Sequence, residues 1–489
     1  MTKEAHWPSG WIFVLAAIGS AAGLGNLWRF PFLAFEYGGG SFVLAVVVAN
    51  IVIGIPLLLL EVALGQMSGK GAPDALGSVR KAFKYVGWFA LMLGFLVLTY
   101  YMAVVAWGVD YFASAFTLGW GSDTSSFFFN DILNVSEGVG VVGGISWPVL
   151  SGLLLAYALV YFSVWKGVRS VSKVVVWTAT LPFVILLILL LRAVTLPGAG
   201  EGILLYITPQ FSALLNPQLW LEAFSQVFFS LSVAFGIMIA YGSLKKESSE
   251  ITKNVGLVAL GNFLVSFISG FVVFGTLGYM AQAQGVPITN VVAGGPSLVF
   301  VVFPEAISLM PAFNSLIAVL FFGTLLMLAI DSAFSLFEAL AVTFRNRYPR
   351  VPTKKIALGI AAVTFVGSLP FTTQAGLYFL DILDHFVVNY GLITVGFLEA
   401  LLVGWLWKRG ALRVFINKNS EWNVGIGWEF AIKYFAPLFL GFLLVSNIVR
   451  EIREPYEGYP TWALLYIGVV PILLAPVIGF ILEKLTNKE

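Results

Sequence analysis

Asp331 and Ser332 stand side by side midway along one of the longest apolar runs in the chain, 313–344. A carboxylate at that depth is costly in a bilayer and usually marks an ion pathway or a paired charge. Other runs carry polar residues at similar depth. Gly19-Ser20-Ala21-Ala22-Gly23-Leu24-Gly25-Asn26-Leu27-Trp28-Arg29-Phe30-Pro31 interrupts the first, and Phe228-Phe229-Ser230-Leu231-Ser232-Val233-Ala234-Phe235-Gly236 interrupts the sixth. Asn262 and Ser266, four residues apart, share a face of the seventh, and Tyr101 lies in the third. Carboxylate, hydroxyl, amide and unwound-helix carbonyl oxygens suit a hard cation such as sodium. Breaks near mid-depth free N–H and C=O groups where no bulk water reaches, and an ion with a polar substrate would satisfy them. Taken singly, each group also has a structural explanation. The small residues could serve tight helix packing, and Ser230 or Ser232 could bond to a helix carbonyl.

The elements that position these residues follow from composition. Of 489 residues 59% are hydrophobic and only 11% charged, which overrules the several soluble domains that length alone suggests and indicates one all-α bundle of membrane spans. There is no cysteine, which excludes disulfides and thiolate chemistry, and two histidines, His6 and His385, leave little for a transition-metal site. Apolar runs predict twelve transmembrane helices at 11–35, 41–65, 84–117, 147–165, 171–192, 218–244, 254–283, 313–344, 354–372, 377–408, 428–450 and 459–484. The short leading segment lacks a cleavable signal pattern, so the first span is expected to be retained.

Loop charges predict the orientation. Lys70, Arg80, Lys81 and Lys84, then Lys166, Arg169 and Lys173, then Lys245, Lys246 and Lys253 fall on one side. Arg345, Arg347, Arg350, Lys354 and Lys355, then Lys408, Arg409, Arg413 and Lys418 join them, whereas 118–146 and 284–312 hold no Lys or Arg. The positive-inside rule then puts both termini in the cytoplasm of a multi-pass cell-membrane protein. The 284–312 segment, with Pro287, Pro296, Pro304 and Pro311 around an apolar middle, reads as a lid dipping toward the bundle or as a surface cap.

The two breaks are five spans apart. Spans 1–5 (11–192) and 6–10 (218–408) would then be halves that each begin with a broken helix, and because five is odd they face opposite ways. That is the inverted-repeat logic of secondary transporters, with 428–484 as two accessory helices and the whole as one transporter domain.

The first-break stretch, followed by Gly38-Gly39-Gly40, resembles the first-helix signature of the neurotransmitter:sodium symporters. The sixth span, Asn262, Ile330-Asp331-Ser332 and Asp381-Ile382-Leu383-Asp384 extend the resemblance over essentially the whole chain. It implies a five-plus-five inverted-repeat symporter, of the prokaryotic branch, importing a neutral amino acid with sodium by alternating access. One sodium site would use Ala21, Asn26, Ser230, Asn262 and the substrate carboxylate, and the second the carbonyls of Gly19, Ala22 and Leu328 with the side chains of Asp331 and Ser332. Leu24, Gly25 and Tyr101 would hold the substrate carboxylate, and Ala21, Phe229, Ser230 and Ser232 its ammonium. Val97, Phe229, Phe235, Ser332, Ser335 and Leu336 would surround a neutral, mostly apolar side chain, and Tyr101 with Phe235 would close over it. Gly23 stands where monoamine carriers have an Asp, which favours a zwitterion.

The resemblance also implies an outer gate of Arg29 with Asp384. Gln226, Ser230, Asn262 and Ser266 match the neighbours of a chloride site, although Val46 replaces its expected Tyr. At the inner gate Trp7 is kept but Glu4 replaces an Arg, so a sign-swapped pairing of Glu4 with Arg345 or Arg347 is expected. Membrane lipid is expected around the bundle, no nucleic-acid partner is expected, and the oligomeric state is left open. A non-transporting, sodium-dependent amino-acid sensor on the same fold remains the alternative. An intramembrane enzyme lacks support, since there is no His-Glu-x-x-His pattern.

Overall fold

Spans begin where the sequence supplies helix starts. Asn216 caps Pro217 by accepting the Gln218 amide at 3.0 Å, and Ser9 caps the first helix by accepting Ile12 N–H at 3.2 Å. The computed structural model describes residues 6–407 and 410–486. Among them ten helices are continuous, long and apolar enough to cross a membrane. These are span 2 (Gly40–Ser68), span 3 (Lys81–Ala115), span 4 (Trp147–Val164), span 5 (Val168–Val194), span 7 (Thr252–Gln284), span 8 (Asn314–Arg347), span 9 (Thr353–Thr372), span 10 (Gly376–Leu406), span 11 (Ile426–Gly458) and span 12 (Thr461–Thr486). Span 1 is a bent pair, Gly10–Ala21 and Leu24–Glu36, meeting at 66°. Span 6 is likewise split, into Pro217–Ser230 and Ile237–Ser243. The fold is a twelve-helix membrane bundle with broken helices 1 and 6, the five-plus-five inverted-repeat class.

Packing follows the repeat. Span 1 lies against span 7, and its counterpart span 6 lies against span 2. Spans 3 and 8, themselves counterparts, pack along each other through the centre, span 4 on 8 as span 9 on 3. Span 11 packs on span 10, and span 12 runs along span 3. Spans 2 and 6 approach backbone to backbone. A Cβ at Gly65 would lie 2.0 Å from Ile239 O and one at Gly242 2.3 Å from Val62 O, so small residues let the broken helix seat directly on its neighbour.

The ends of the bundle differ. At the end bearing the Lys and Arg loops (the basic end), Arg347 meets Glu483 at 2.6 Å and Asp74 at 3.0 Å, while Lys84 meets Glu483 at 3.0 Å. Trp88 Nε1 donates to Glu483 at 2.8 Å. One carboxylate of the last span thus ties together spans 3, 8 and 12. Lys245, just past span 6, is buried with its ammonium 4.3 Å from the centre of the Phe13 ring. Burial pushes this lysine down to about 7, against a smaller upward pull from Glu250. At the opposite end, the apolar middle of 284–312 is a short helix, Gly295–Leu309. Its Phe300 is buried, stacked on Phe128 at 5.1 Å, and its carbonyl accepts from Tyr111 Oη at 2.6 Å.

Candidate functional site

The two breaks meet at one place. In span 1 the helix stops at Ala21, and Ala22 (ψ 72°) and Gly23 (ψ −164°) turn the chain out of the helical region before Leu24 restarts it. In span 6 the break between Ser230 and Ile237 contains three left-handed residues, Ser232 (φ 55°), Ala234 (φ 68°) and Gly236 (φ 72°). Ser232 and Ala234 hold that conformation without being glycine, at a cost of about 1–2 kcal/mol each. A tether helps to hold it, because Ala234 N–H donates to Glu61 Oε1 of span 2 at 2.6 Å. The breaks are joined to each other and to span 8. Ser232 Oγ donates to Ser20 O at 3.0 Å, Ser332 Oγ to the same carbonyl at 3.2 Å, and Ser20 Oγ lies 2.8 Å from Ser335 Oγ.

Beside this junction are two groups of oxygen atoms. Asn26 Nδ2 donates to Asn262 Oδ1 at 2.8 Å, and Asn262 Nδ2 donates to Ser230 Oγ at 2.8 Å. Ser230 Oγ lies 3.2 Å from Asn26 Oδ1 and 3.0 Å from Asn262 Oδ1. Spans 1, 6 and 7 thus gather two amide oxygens and a hydroxyl into one small volume, all buried. Ala21, at the end of the first half-helix, is buried beside them, its carbonyl accepting from Gly23 N–H at 2.9 Å.

The second group centres on Asp331, which is completely buried, with neither carboxylate oxygen in a hydrogen bond. The Thr178 hydroxyl of span 5 lies near it but donates instead to Val174 O at 3.2 Å. The carboxylate lies tight against span 1: a Cβ at Gly19 would fall 2.4 Å from Asp331 Oδ2. Ala22 and Leu328 are also buried at this junction, Leu328 one turn before Asp331 on span 8. A buried charge without a partner is strongly disfavoured, so this carboxylate fits a bound cation. Among the described residues no three His, Cys, Asp or Glu side chains cluster, and a single carboxylate with neutral oxygens suits a monovalent hard ion.

Between the two groups is a cavity. Ala21, Leu24, Gly25, Val97, Tyr101, Phe229, Ser230, Ser232, Phe235, Ser332, Ser335 and Leu336 all line it, with Ser20, Gly23, Asn26 and Ile237. It is small, with about 50 Å3 open to the centre of a water-sized sphere. That is room for a few waters or a compact ligand. Tyr101 Oη is buried within reach of the Leu24 amide and the Ser332 hydroxyl. The Leu24 and Gly25 amides open a half-helix, where no carbonyl of that helix can receive them. N–H groups at a helix start that face a buried tyrosine hydroxyl can together receive a carboxylate. Phe229 and Phe235 meet edge to face at 6.0 Å, forming an apolar wall.

Residues 4–125 and 121–486 match the sodium:neurotransmitter symporter family. The chain belongs to that family. It is 39% identical, over 99% of its own length and 98% of the other's, to an uncharacterized sodium-dependent transporter of Methanocaldococcus jannaschii. It is 35% identical to the sodium- and chloride-dependent GABA transporter 2 of Homo sapiens, over 85% of this chain and 75% of that one. A Drosophila melanogaster sodium- and chloride-dependent GABA transporter is 31% identical, over 94% and 53%. As a member of the family the chain is a sodium-dependent symporter, a transporter rather than an enzyme.

The gates depart from expectation. Arg29 does not pair with Asp384 here; its guanidinium meets Glu222 at 3.3 Å and Ser225 at 3.2 Å, both on the first half of span 6. Asp384 is instead held by Tyr100, whose hydroxyl donates to it at 2.6 Å. The half-helix facing Arg29 offers a nearer carboxylate than span 10 does. At the basic end Trp7 is buried, its indole N–H donating to Tyr241 O at 3.0 Å and its amide to Leu244 O at 2.9 Å. Glu4 lies outside the described residues. Its two expected partners have other carboxylates: Arg345 meets Glu338 at 2.5 Å, and Arg347 meets Asp74 and Glu483.

Gln226 is buried with neither end of its amide hydrogen-bonded, one turn from Ser230, while Ser266 is buried one turn from Asn262. An orphaned amide N–H next to hydroxyls fits an anion. Ser20, Glu61 and Glu222 were not among the predicted site residues. Ser20 had a signal, as the one hydroxyl inside the first break. The carboxylates Glu61 and Glu222 sit in apolar runs and had the generic signal of any intramembrane charge.

Proposed function

We propose that the protein imports a small neutral amino acid together with two sodium ions, by alternating access, with both termini on the cytoplasmic side of the cell membrane. The observation that carries this reading is the wholly buried, unpartnered carboxylate of Asp331 against the first helix break. With the side-chain oxygens of Asn26, Ser230 and Asn262 it gives two cation sites flanking one cavity. One sodium ion is held by Asn26, Ser230, Asn262, the Ala21 carbonyl and the substrate's own carboxylate. The other is held by Asp331, Ser332 and the carbonyls of Gly19, Ala22 and Leu328.

The substrate carboxylate is received by the Leu24 and Gly25 amides and the Tyr101 hydroxyl, and the ammonium by Ala21, Phe229, Ser230 and Ser232. Because the first ion and the carboxylate complete each other's coordination, neither binds well alone, and that mutual dependence couples the fluxes. The cavity's size and the apolar wall of Val97, Phe235 and Leu336 favour a short, uncharged side chain. Relatives named as GABA transporters carry a zwitterion with the same two charged ends. Their names also include chloride, and the orphaned Gln226 amide with Ser266, where no carboxylate stands, supports chloride as a third ion. Arg29 in this reading exchanges partners as the outer side opens and closes, between Glu222 and Asp384.

Equilibrium binding tests the site directly. Purified protein in detergent is incubated with single labelled amino acids in sodium chloride, potassium chloride or sodium gluconate. Saturable binding of at least one small neutral amino acid in sodium and none in potassium is expected, with weaker binding in gluconate. Equal binding in sodium and potassium would sink the proposal.

A further inference from the structure

At the basic end, the loop between spans 4 and 5 meets the loop between spans 8 and 9. Trp165 sits at the junction with two ammonium groups on its ring, Lys166 Nζ 4.4 Å and Lys354 Nζ 4.3 Å from its centre. The two cations are therefore within about 9 Å of each other, where like charges repel. Arg169 and Lys355 adjoin them in sequence. No carboxylate among the described residues pairs with Lys166, Arg169, Lys354 or Lys355, whereas the neighbouring Arg345 is paired with Glu338. The two loops are in real contact: a Cβ at Gly167 would lie 2.7 Å from Arg345 Nη1 and 3.7 Å from Thr353 Cγ2. Spans 5 and 9 both start here, with no acidic residue in either first turn, so the helix ends add to the positive field of the side chains rather than offset it.

Directly toward the membrane from this cluster the surface is apolar and bare. Phe162, one turn before Trp165 and in edge contact with its ring at 6.1 Å, is 62% exposed, and Leu358, one turn after Lys354, is 57% exposed. A free anion would need only the charges. An amphiphile needs both halves, a cationic cradle at headgroup level and an apolar track leading from it into the hydrocarbon. The geometry points to a binding site for one anionic phospholipid, its phosphate beside Trp165 within reach of Lys166 and Lys354 and an acyl chain along Phe162 and Leu358. The indole holds both ammonium groups at this end of the bundle, where a basic cluster meets the headgroup layer. Phe162 and Lys166 belong to span 4 and the loop after it, and Lys354 and Leu358 to span 9, so an occupant here bridges spans 4 and 9.

Native mass spectrometry on the full-length protein tests this without relying on transport. Protein stripped to a single detergent is titrated with phosphatidylglycerol or phosphatidylcholine, each with and without inorganic phosphate. The expected result is one phosphatidylglycerol retained more tightly than the rest, with no equivalent for phosphatidylcholine. Lys166→Gln with Lys354→Gln should weaken that retention roughly thirtyfold, at about tenfold or less per lysine. Lys166→Arg with Lys354→Arg should keep it, which separates loss of charge from damage to the fold. Phe162→Ser should weaken phosphatidylglycerol alone. Equal retention in wild type and the double Gln variant would overturn the proposal. So would displacement of the lipid by millimolar inorganic phosphate, which would mark a free-anion site.

Discussion

Replacing Asp331 by Asn removes the charge and keeps the size, and its consequences have opposite signs with and without sodium. Without a bound cation, a carboxylate buried this completely carries a desolvation penalty, so its removal relieves a cost of several kcal/mol. With sodium bound the same charge is the main attraction. Two unit charges about 4 Å apart at an effective dielectric of 20 attract by about 4 kcal/mol, and direct ligation brings them closer. The amide oxygen retained in Asn recovers part of that as a dipole, leaving a net loss of about 2–4 kcal/mol. That is a rise of roughly 30- to 1000-fold in the dissociation constant of this one ion. The assay is thermal unfolding in sodium chloride and in potassium chloride at matched ionic strength. Wild type should be stabilised by sodium, as a ligand of the folded state alone must do. Asp331→Asn should melt above wild type in potassium and gain much less from sodium. If both proteins show the same sodium-induced shift, Asp331 is not an ion ligand and the reasoning fails.

Three further outcomes follow from the geometry. Gly23→Ala places a methyl group 2.7 Å from Ser332 Oγ and 3.5 Å from Tyr101 Oη. Amino-acid affinity should then fall at least about tenfold in a binding assay, the cost of crowding a small site, with the melting temperature little changed. Ala234→Gly removes a Cβ from a left-handed residue (φ 68°), and should stabilise the protein by about 0.5–1 kcal/mol after the entropy of glycine is allowed for. Lys245 has its folded pKa pushed down to about 7 from 10.5 by burial. Between those values the unfolded chain binds more protons, so stability should rise with pH through this window and be flat below it. Lys245→Met should flatten the rise in a pH series of melting curves.

Much of this was legible in the sequence, for identifiable reasons. Each span declares itself through its length of apolar residues, and the breaks through small and polar residues set inside such a run. Asn26, Ser230 and Asn262 each stood out as a polar residue within an apolar run, but their grouping into one cluster came from the resemblance to the symporter family. Contacts decided by rotamer and tertiary register were not legible. Glu61 meets Ala234 N–H across 173 positions, and nothing local distinguishes that carboxylate from Glu399, which is also buried in a span. Arg29 has Glu222 and Asp384 as candidate partners, and sequence does not say which one the packed half-helix brings within reach. Likewise Arg345 and Arg347 are basic loop-end residues on paper, but Glu338 lies two turns before Arg345 and Glu483 comes from the last span. The short helices Ala72–Val79, Ala199–Ile207 and Ala411–Lys418 were hidden because each is too brief for its periodicity to stand out from the loops around it.

The central claim is that two cation sites and one substrate cavity, built where two helix breaks meet, couple an amino acid to sodium. Uptake into proteoliposomes measures this most directly, with a mixed pool of labelled amino acids and an inward sodium gradient set against a matched potassium control. Accumulation above equilibrium that needs sodium and collapses when the gradient is dissipated is the predicted result. Sodium-dependent binding with no accumulation would contradict coupled transport.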